Sequence, residues 1–199
     1  MLIAHRGLYD NKKIKENTIK AFDKALQNGF DGFETDLRET KDGKIVLMHD
    51  PIISRVSDSF GLVKNMEYSK LKKKFKDITT LEDITNKYQN QIIFLELKDK
   101  IDVTKHLNNN NTYYITSFNY NNIKDLPKGN YKRGVLNYVF NTNIDYKNLD
   151  FIMILSDLIT DKIYEFYTNQ NIEVVLYGIN KHIPTLKKEY LDRIKYANF

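Results

Sequence analysis

Apolar residues along the chain fall into short continuous runs that are separated by more polar stretches. A run of roughly four to eight apolar residues between turn signals is typical of a strand buried on both faces. The candidate strands cover residues 2–5, 33–37, 45–48, 92–97, 113–116, 134–138, 151–155, 174–179 and 194–199. Lys41-Asp42-Gly43 is a turn signal between the second and third of these runs. These two runs therefore predict a β-hairpin.

The stretches between the runs carry helical periodicity. Ile19, Phe22 and Leu26 recur at helical spacing within residues 16–28, and Gly29 follows as a stop signal. Residues 81–88, 102–107, 163–167 and 183–191 predict further helices. The lysine-rich residues 70–76 are more typical of a solvated helix face than of a nucleic-acid-binding stripe.

Strands that alternate with helices predict an α/β fold with a parallel sheet. When the hairpin is counted as one insertion after the second strand, about eight strand–helix units remain, which favours a compact (β/α)8 barrel of the TIM type. A doubly wound open sheet is the second choice, but no glycine-rich phosphate-binding fingerprint follows the first strand. We expect residues 1–199 to form a single domain.

Composition narrows the classes of protein that remain. The 199 residues include 31 Lys and Arg, 26 Asp and Glu and no cysteine, with a formal net charge of +5. The absence of cysteine excludes a disulfide scaffold and any thiolate site. No apolar run has the length of a membrane-spanning helix, and the first residues become charged too early for a secretory signal. We therefore expect a cytoplasmic protein.

Polar groups that could carry chemistry lie at or just after the carboxyl ends of the early predicted strands. They are His5, Arg6, Glu34, Asp36, His49, Glu96 and Lys98. Residues two apart on a strand share a face, so Glu34 lies beside Asp36, and Glu96 beside Lys98. Taken singly, each of these residues could have a purely structural role, for example on the exposed face of an edge strand. Taken together, all of them occupy the same relative position in their strands. In a barrel, that end of the strands forms the active site.

The residue types in this set predict phosphodiester cleavage. Three carboxylates form a hard, oxygen-rich site that suits Mg²⁺ or Ca²⁺. Arg6 and Lys98 add fixed positive charge that attracts an anion such as a phosphate. His5 and His49 provide a general base and a general acid near neutral pH.

Seven short motifs give the chain a recognisable resemblance over residues 2–98. In order they are His5-Arg6-Gly7, Glu16-Asn17-Thr18, Glu34-Thr35-Asp36, residues 40–43 (Thr-Lys-Asp-Gly), His49-Asp50, Thr80-Leu81-Glu82 and Glu96-Leu97-Lys98. With these motifs the chain resembles the glycerophosphodiester phosphodiesterase family. The resemblance implies a (β/α)8 barrel that hydrolyses glycerophosphodiesters to an alcohol and glycerol 3-phosphate.

The same resemblance implies a role for each matched residue. His5 and His49 would be the acid–base pair, with His5 favoured as base, and Arg6 and Lys98 would contact the substrate phosphate. Glu34, Asp36 and Glu96 would bind a divalent metal, with Mg²⁺ favoured and Ca²⁺ possible. Glu16 and Asn17 would support these residues. The implied partner is a small glycerophosphodiester, with no nucleic acid expected; the oligomeric state stays open.

The second half of the chain matches the family less closely. Ser117-Phe118 fits, but Tyr177 stands where a tryptophan is expected and Lys15 replaces a common proline, while Asn180 is kept. The head group of the substrate therefore stays open. Two alternatives remain. One is a lipid-cleaving barrel of the lysophospholipase D or sphingomyelinase D type, which Glu96 disfavours. The other is a basic nucleic-acid-binding protein.

Overall fold

A computed structural model describes residues 1–137, 144–178 and 186–198, and in these ranges the dominant feature is a nine-stranded sheet. Eight of its strands pair in parallel, and the short third strand pairs antiparallel with the second. The strands are β1 (Leu2–His5), β2 (Gly32–Glu39), β3 (Ile45–Leu47), β4 (Ile92–Leu97), β5 (Thr112–Thr116), β6 (Lys132–Asn137), β7 (Phe151–Leu155), β8 (Glu173–Tyr177) and β9 (Lys195–Asn198).

The parallel strands pair in the order β1, β9, β8, β7, β6, β5, β4, β2, and β2 pairs back to β1. A doubly wound sheet would leave two unpaired edge strands, whereas β1 has a neighbour on each side. The predicted α/β class is confirmed. Strand β3 continues from β2 through a turn in which the backbone oxygen of Thr40 accepts from Gly43 N–H. The Thr40 N–H donates to the backbone oxygen of Lys44, and the Lys44 N–H donates to the Thr40 hydroxyl.

Five α-helices lie within the described ranges, and threonine side chains cap the start of three of them. They are α1 (Ile19–Gln27), α2 (Tyr68–Lys74), α3 (Leu81–Lys87), α4 (Asp161–Thr168) and α5 (Lys188–Leu191). Thr18 and Thr160 accept backbone hydrogen bonds as N-caps, and Thr80 forms a capping box with Asp83. None of these helices is long and apolar enough to span a bilayer.

Three helix predictions need correction. In the helix predicted over residues 183–191, the described part is helical only from Lys188 to Leu191. Residues 102–107 form only a single 3₁₀ turn, Thr104–His106, because Asp102 binds both the backbone N–H and the hydroxyl of Thr104 and Leu107 is already extended. The helix predicted from residue 16 begins only at Ile19, because Asn17 has a positive φ of 56° that no helix accommodates. Some residues of the predicted elements lie outside the described ranges, namely residues 183–185 and 199, Tyr138 and Ile179, and so do Asn180 and His182.

Three apolar clusters hold the fold together. The largest packs the outer faces of the strands against α1, α3 and α4, with Phe22 stacked on Phe33 at 4.1 Å between ring centroids. A second cluster includes Ile3 and Phe94, which lie two residues before His5 and Glu96 and hence on the same faces of β1 and β4. The apolar filling of that face thus gives way to polar groups toward the carboxyl ends of the strands. The third cluster packs residues 46–78 beneath α2.

Candidate active site

Strand register brings the predicted site residues to one end of the barrel. His5 is the register partner of Glu34 across β1 and β2, and Asp36 is the partner of Glu96 across β2 and β4. His5 ends β1 and Glu96 is next to last in β4, and the register sets Glu34 and Asp36 of the longer strand β2 beside them, so these two lie within β2 and not at its end as the sequence predicted. The fold therefore places side chains that are far apart in sequence next to one another.

The three carboxylates form a buried cluster. Glu34, Asp36 and Glu96 each offer an oxygen, and these oxygens lie within 4.8 Å of one another. Burial and the neighbouring carboxylates raise the pKa of Glu34 well above its ordinary value, and burial and Asp36 also raise the pKa of Glu96. Burial also opposes ionisation of Asp36, but Lys98 and Arg6 outweigh it and keep the pKa of Asp36 below its ordinary value. Three acidic groups so close together need a cation to be ionised together.

Two cations face this cluster. Arg6 lies with its Nε 3.1 Å from Asp36 Oδ2, without the alignment of a hydrogen bond, and its backbone N–H donates to Glu34 Oε2 at 3.1 Å. Lys98 Nζ is 3.1 Å from Asp36 Oδ1 and also pairs with Glu96. Because these carboxylates outweigh the effect of burial, the pKa values of both cations are raised, and both remain charged.

Glu16 and Asn17 lie at the same end of the barrel, on the loop before α1. Asn17 is buried; its amide donates to Asp36 Oδ2 at 2.9 Å, and its carbonyl oxygen accepts from the Thr35 hydroxyl at 2.7 Å. Glu16 is 3% exposed and accepts from Arg6 Nη1 at 3.1 Å. Asn17 thus orients a carboxylate of the cluster, and Glu16 orients one of its cations.

The two histidines occupy different surroundings. His5 is largely buried with its Nε2 3.8 Å from Glu34 Oε2, and burial together with Arg6 lowers its pKa to about 3. His49 follows β3, is half-buried, and pairs through Nδ1 with Asp50 Oδ1 at 2.6 Å. Burial lowers the pKa of His49 as well, with Asp36 and Asp50 opposing the effect. Near pH 7 both rings are therefore neutral, and each can accept a proton.

A further histidine lies elsewhere, and two aromatic residues lie at the edge of the site. His106 is on the surface, with its Nδ1 3.9 Å from Glu82 Oε1, and is not part of the cluster of Glu34, Asp36 and Glu96. Tyr177 is 5% exposed and meets Phe118 edge-on at 6.4 Å between centroids. Phe118 is 42% exposed, and Lys98 Nζ lies 5.8 Å from its ring centroid. An aromatic pair thus borders the cationic side of the site.

Sequence reasoning missed two arginines that hold the site together. Arg38 donates from Nε and Nη2 to the backbone oxygen of His49, at 2.9 and 2.7 Å, and pairs with Asp99. Arg55 binds Glu16 and Asp50. For Arg38 the signal was available, because it shares the strand face of Asp36 at two-residue spacing. Arg55 lies in an irregular segment with no periodicity that could have indicated it.

The carboxylate cluster fits a divalent metal ion. Its donors are all oxygens, the preference of Mg²⁺ and Ca²⁺. Glu34 Oε1 is buried and finds no hydrogen-bond partner among the described residues, as expected of an oxygen that serves as a metal ligand. Glu34, Asp36 and Glu96 are the residues that would hold the ion, and its charge would relieve their mutual repulsion.

Several known proteins are similar to this chain in sequence. A glycerophosphodiester phosphodiesterase from Caldanaerobacter subterraneus is 32% identical over 152 residues, which is 64% of this chain and 62% of that protein. One from Bacillus altitudinis is 43% identical over 72 residues, or 36% of this chain and 29% of that protein. The matched part of the chain thus spans less than two thirds of the length of either relative.

Solved structures agree in fold. The crystal structure of glycerophosphodiester phosphodiesterase from Thermotoga maritima has a TM-score of 0.79 at 23% identity, covering 99% of this chain and 92% of that one. A phosphodiesterase from Oleispira antarctica, solved with sn-glycerol-3-phosphate, has a TM-score of 0.76 at 20% identity, with the same coverage. The sequence profile of the glycerophosphoryl diester phosphodiesterase family matches residues 5–182. Since this match spans most of the chain, the protein belongs to the glycerophosphoryl diester phosphodiesterase family.

Proposed function

We propose that this protein is a metal-dependent phosphodiesterase that hydrolyses glycerophosphodiesters to an alcohol and glycerol 3-phosphate. The observation that carries the proposal is the convergence of three carboxylates, two cations and two histidines at one end of the barrel. We propose further that the fold is a compact (β/α)8 barrel and that the β2–β3 hairpin is an insertion into it. The membership of the chain in the phosphodiesterase family supports the assignment.

In the proposed reaction, one histidine acts as base and the other as acid. His5 takes a proton from the attacking oxygen, which belongs to water or to the glycerol 2-hydroxyl. That oxygen bonds to phosphorus, the bond from phosphorus to the head-group oxygen breaks, and His49 protonates the departing alkoxide. If the glycerol hydroxyl attacks, a cyclic phosphate forms and water then opens it. The lowered pKa of His5 suits a base that is free to accept a proton.

Fixed positive charge supports this transfer. Arg6 and Lys98 face the carboxylates and would hold the anionic phosphate oxygens through charge-assisted hydrogen bonds. A divalent metal held by Glu34, Asp36 and Glu96, with Mg²⁺ favoured, would neutralise negative charge that develops on the phosphoryl group. The pKa of His49 is lowered in the free protein. The negative charge of a bound phosphate would raise it, favour protonation of the ring and so prepare His49 as the acid.

A small substrate panel tests the assignment. Glycerophosphocholine, glycerophosphoethanolamine and glycerophosphoglycerol are each incubated with Mg²⁺, Ca²⁺ or EDTA, and lysophosphatidylcholine is included as the lipid alternative. We expect release of glycerol 3-phosphate that requires a divalent ion. Release of head group from the lysolipid alone would favour the phospholipase D-type reaction and contradict the proposal. No turnover of any substrate with either ion would also contradict it.

A further inference from the structure

Arg55 lies in the segment between β3 and α2, on a firmly anchored backbone. It ends the 3₁₀ turn Ile53–Arg55, in which Ile53 is fully buried, and the next residue, Val56, is 3% exposed. Both apolar side chains belong to the cluster beneath α2. The packed core of this segment therefore fixes the backbone of Arg55, although 41% of its side chain is exposed.

The Arg55 guanidinium joins two separate loops of the site. Its Nη1 and Nη2 donate to the two carboxylate oxygens of Glu16, each at 2.7 Å. Its Nε donates to Asp50 Oδ2 at 2.5 Å. Glu16 is almost fully buried on the loop before α1, and Asp50 follows β3. A forked, planar cation can make this bridge, whereas a lysine ammonium cannot reproduce its two-pronged geometry.

Asp50 passes this constraint on to His49. One oxygen of Asp50 accepts from Arg55, and the other lies 2.6 Å from His49 Nδ1. Burial opposes ionisation of Asp50, but its hydrogen bonds with Arg55 and His49 outweigh burial and hold its pKa at about 2, so its carboxylate is ionised and can only accept hydrogen bonds. The hydrogen of neutral His49 must then lie on Nδ1, which leaves Nε2 as the nitrogen that exchanges protons. Arg38 holds the backbone oxygen of the same residue.

We propose that Arg55 is a positioning residue that acts through Asp50 to fix the ring orientation and the Nδ1–H tautomer of His49. This inference rests on the proposed function, in which His49 serves as the acid. Arg55 itself does not touch the reacting atoms. Without it, the Asp50 carboxylate loses the partner that fixes its second oxygen, and it can rotate away from Nδ1. The ion pair with buried Glu16 holds the Arg55 guanidinium in place, and the guanidinium in turn holds the Asp50 carboxylate.

The test compares Arg55→Met, Arg55→Lys, Asp50→Asn and the double variant Arg55→Met/Asp50→Asn, with Lys64→Met as control. Lys64 is an exposed cation on the same segment. We expect Arg55→Met to lower kcat roughly 10- to 100-fold with little change in KM, since catalytic groups lose that much when their orientation is relaxed. Arg55→Lys should recover only part of the loss, and Lys64→Met should behave like the wild type.

The double variant separates action through Asp50 from action through Glu16. If Arg55 acts through Asp50, the double variant should be no slower than Asp50→Asn alone. Losses that multiply in the double variant would overturn the proposal, because they would mean that Arg55 works through Glu16 and Arg6 instead. An unchanged kcat in Arg55→Met would overturn it as well.

A tautomer measurement makes the test independent of turnover. Long-range ¹H–¹⁵N NMR spectra of metal-free protein at neutral pH report which nitrogen of His49 carries the hydrogen. We expect the Nδ1–H form in the wild type and a mixture of tautomers in Arg55→Met, with His106 unchanged as reference. An unshifted His49 tautomer would overturn the positioning role. A wild type without turnover would contradict the proposed function, and the tautomer would still decide the role of Arg55.

Discussion

The two site histidines differ in what holds them. His5 sits at the end of β1 beside Glu34 and Arg6, whereas His49 is held from both sides, by Asp50 at its ring and by Arg38 at its backbone. The proposed base, His5, thus has a pKa that is lowered mainly by burial, and the proposed acid, His49, is oriented by hydrogen bonds. Sequence patterns located both histidines, because each follows an apolar run, but they could not indicate this difference.

Replacing either histidine should remove most of the activity. We expect His5→Ala and His49→Ala each to lower turnover of glycerophosphodiesters by roughly 10²–10⁴-fold, the contribution of a positioned acid or base. His106→Ala is the matched control, since His106 lies on the surface away from the carboxylates. Rates near those of the wild type in either site variant would rule out the paired acid–base scheme.

The depressed pKa of His5 should make the metal-free protein sensitive to acid. Its pKa is about 3 in the folded chain and 6.5 in an ordinary peptide, so below pH 6.5 the unfolded chain binds a proton that the folded one does not. The free energy of unfolding should therefore fall by about 1 kcal/mol per pH unit on this account as the pH drops from 6.5 toward 3. Urea unfolding of the wild type and His5→Gln at pH 7 and pH 5 measures the effect. Equal losses in the two proteins would contradict it.

At the scale of elements, the strands were predicted far better than the connections between them. Apolar runs located the strands because a strand buried on both faces must be apolar along its length. The connection at residues 102–107 was assigned a helix from its apolar spacing, but it is a single turn. The Asp102 carboxylate accepts a hydrogen bond from the backbone N–H of Thr104, and this local side-chain bond competes with helix formation. Loop contacts such as that of Arg55 carry no periodicity and could not be predicted.

Close strand contact leaves no room for a side chain at Gly32, at the start of β2. A Cβ atom there would overlap the carbonyl oxygen of Ile92 on β4. We expect Gly32→Ala to lower the free energy of unfolding by about 1–3 kcal/mol, the usual cost of overpacking. In Gly61→Ala the added methyl would meet the flexible thioether of Met66, so the loss should be well under half as large. Thermal unfolding of the two variants checks this, and equal losses would contradict it.

At the scale of the whole molecule, the two ends of the barrel carry different groups of charged residues. The carboxyl ends of the strands carry the site. At the amino ends, Glu173 pairs with Lys132 and Lys195, each at 2.5 Å, and both lysines donate to the Tyr114 hydroxyl. Lys132, Glu173 and Lys195 begin β6, β8 and β9, and Tyr114 lies in the middle of β5. The sequence predicted the site end, because its residue types are chemically distinctive, but not this ionic cluster, whose members are ordinary surface types.

The ionic cluster should contribute to stability and not to catalysis. We expect Glu173→Gln to lower the free energy of unfolding by about 1 kcal/mol at low salt, because the paired groups are partly exposed. High salt should narrow the difference from the wild type, since it screens partly exposed pairs. Urea unfolding at low and high NaCl measures both effects. A difference that grows with salt, or a loss of turnover, would contradict this division of tasks.

The central claim is that the carboxylate cluster holds the metal on which phosphodiester hydrolysis depends. Its most direct test is release of glycerol 3-phosphate by the wild type, Glu34→Gln and Glu39→Gln, with Mg²⁺ and with EDTA. Glu39 is an exposed carboxylate on the same strand, outside the site. We predict metal-dependent release by the wild type and Glu39→Gln and none by Glu34→Gln. The latter should unfold at no lower temperature without metal, because burial and the neighbouring carboxylates disfavour a charge at this position and the amide of glutamine carries none. Full activity in Glu34→Gln, or wild-type activity that survives EDTA, would contradict the claim.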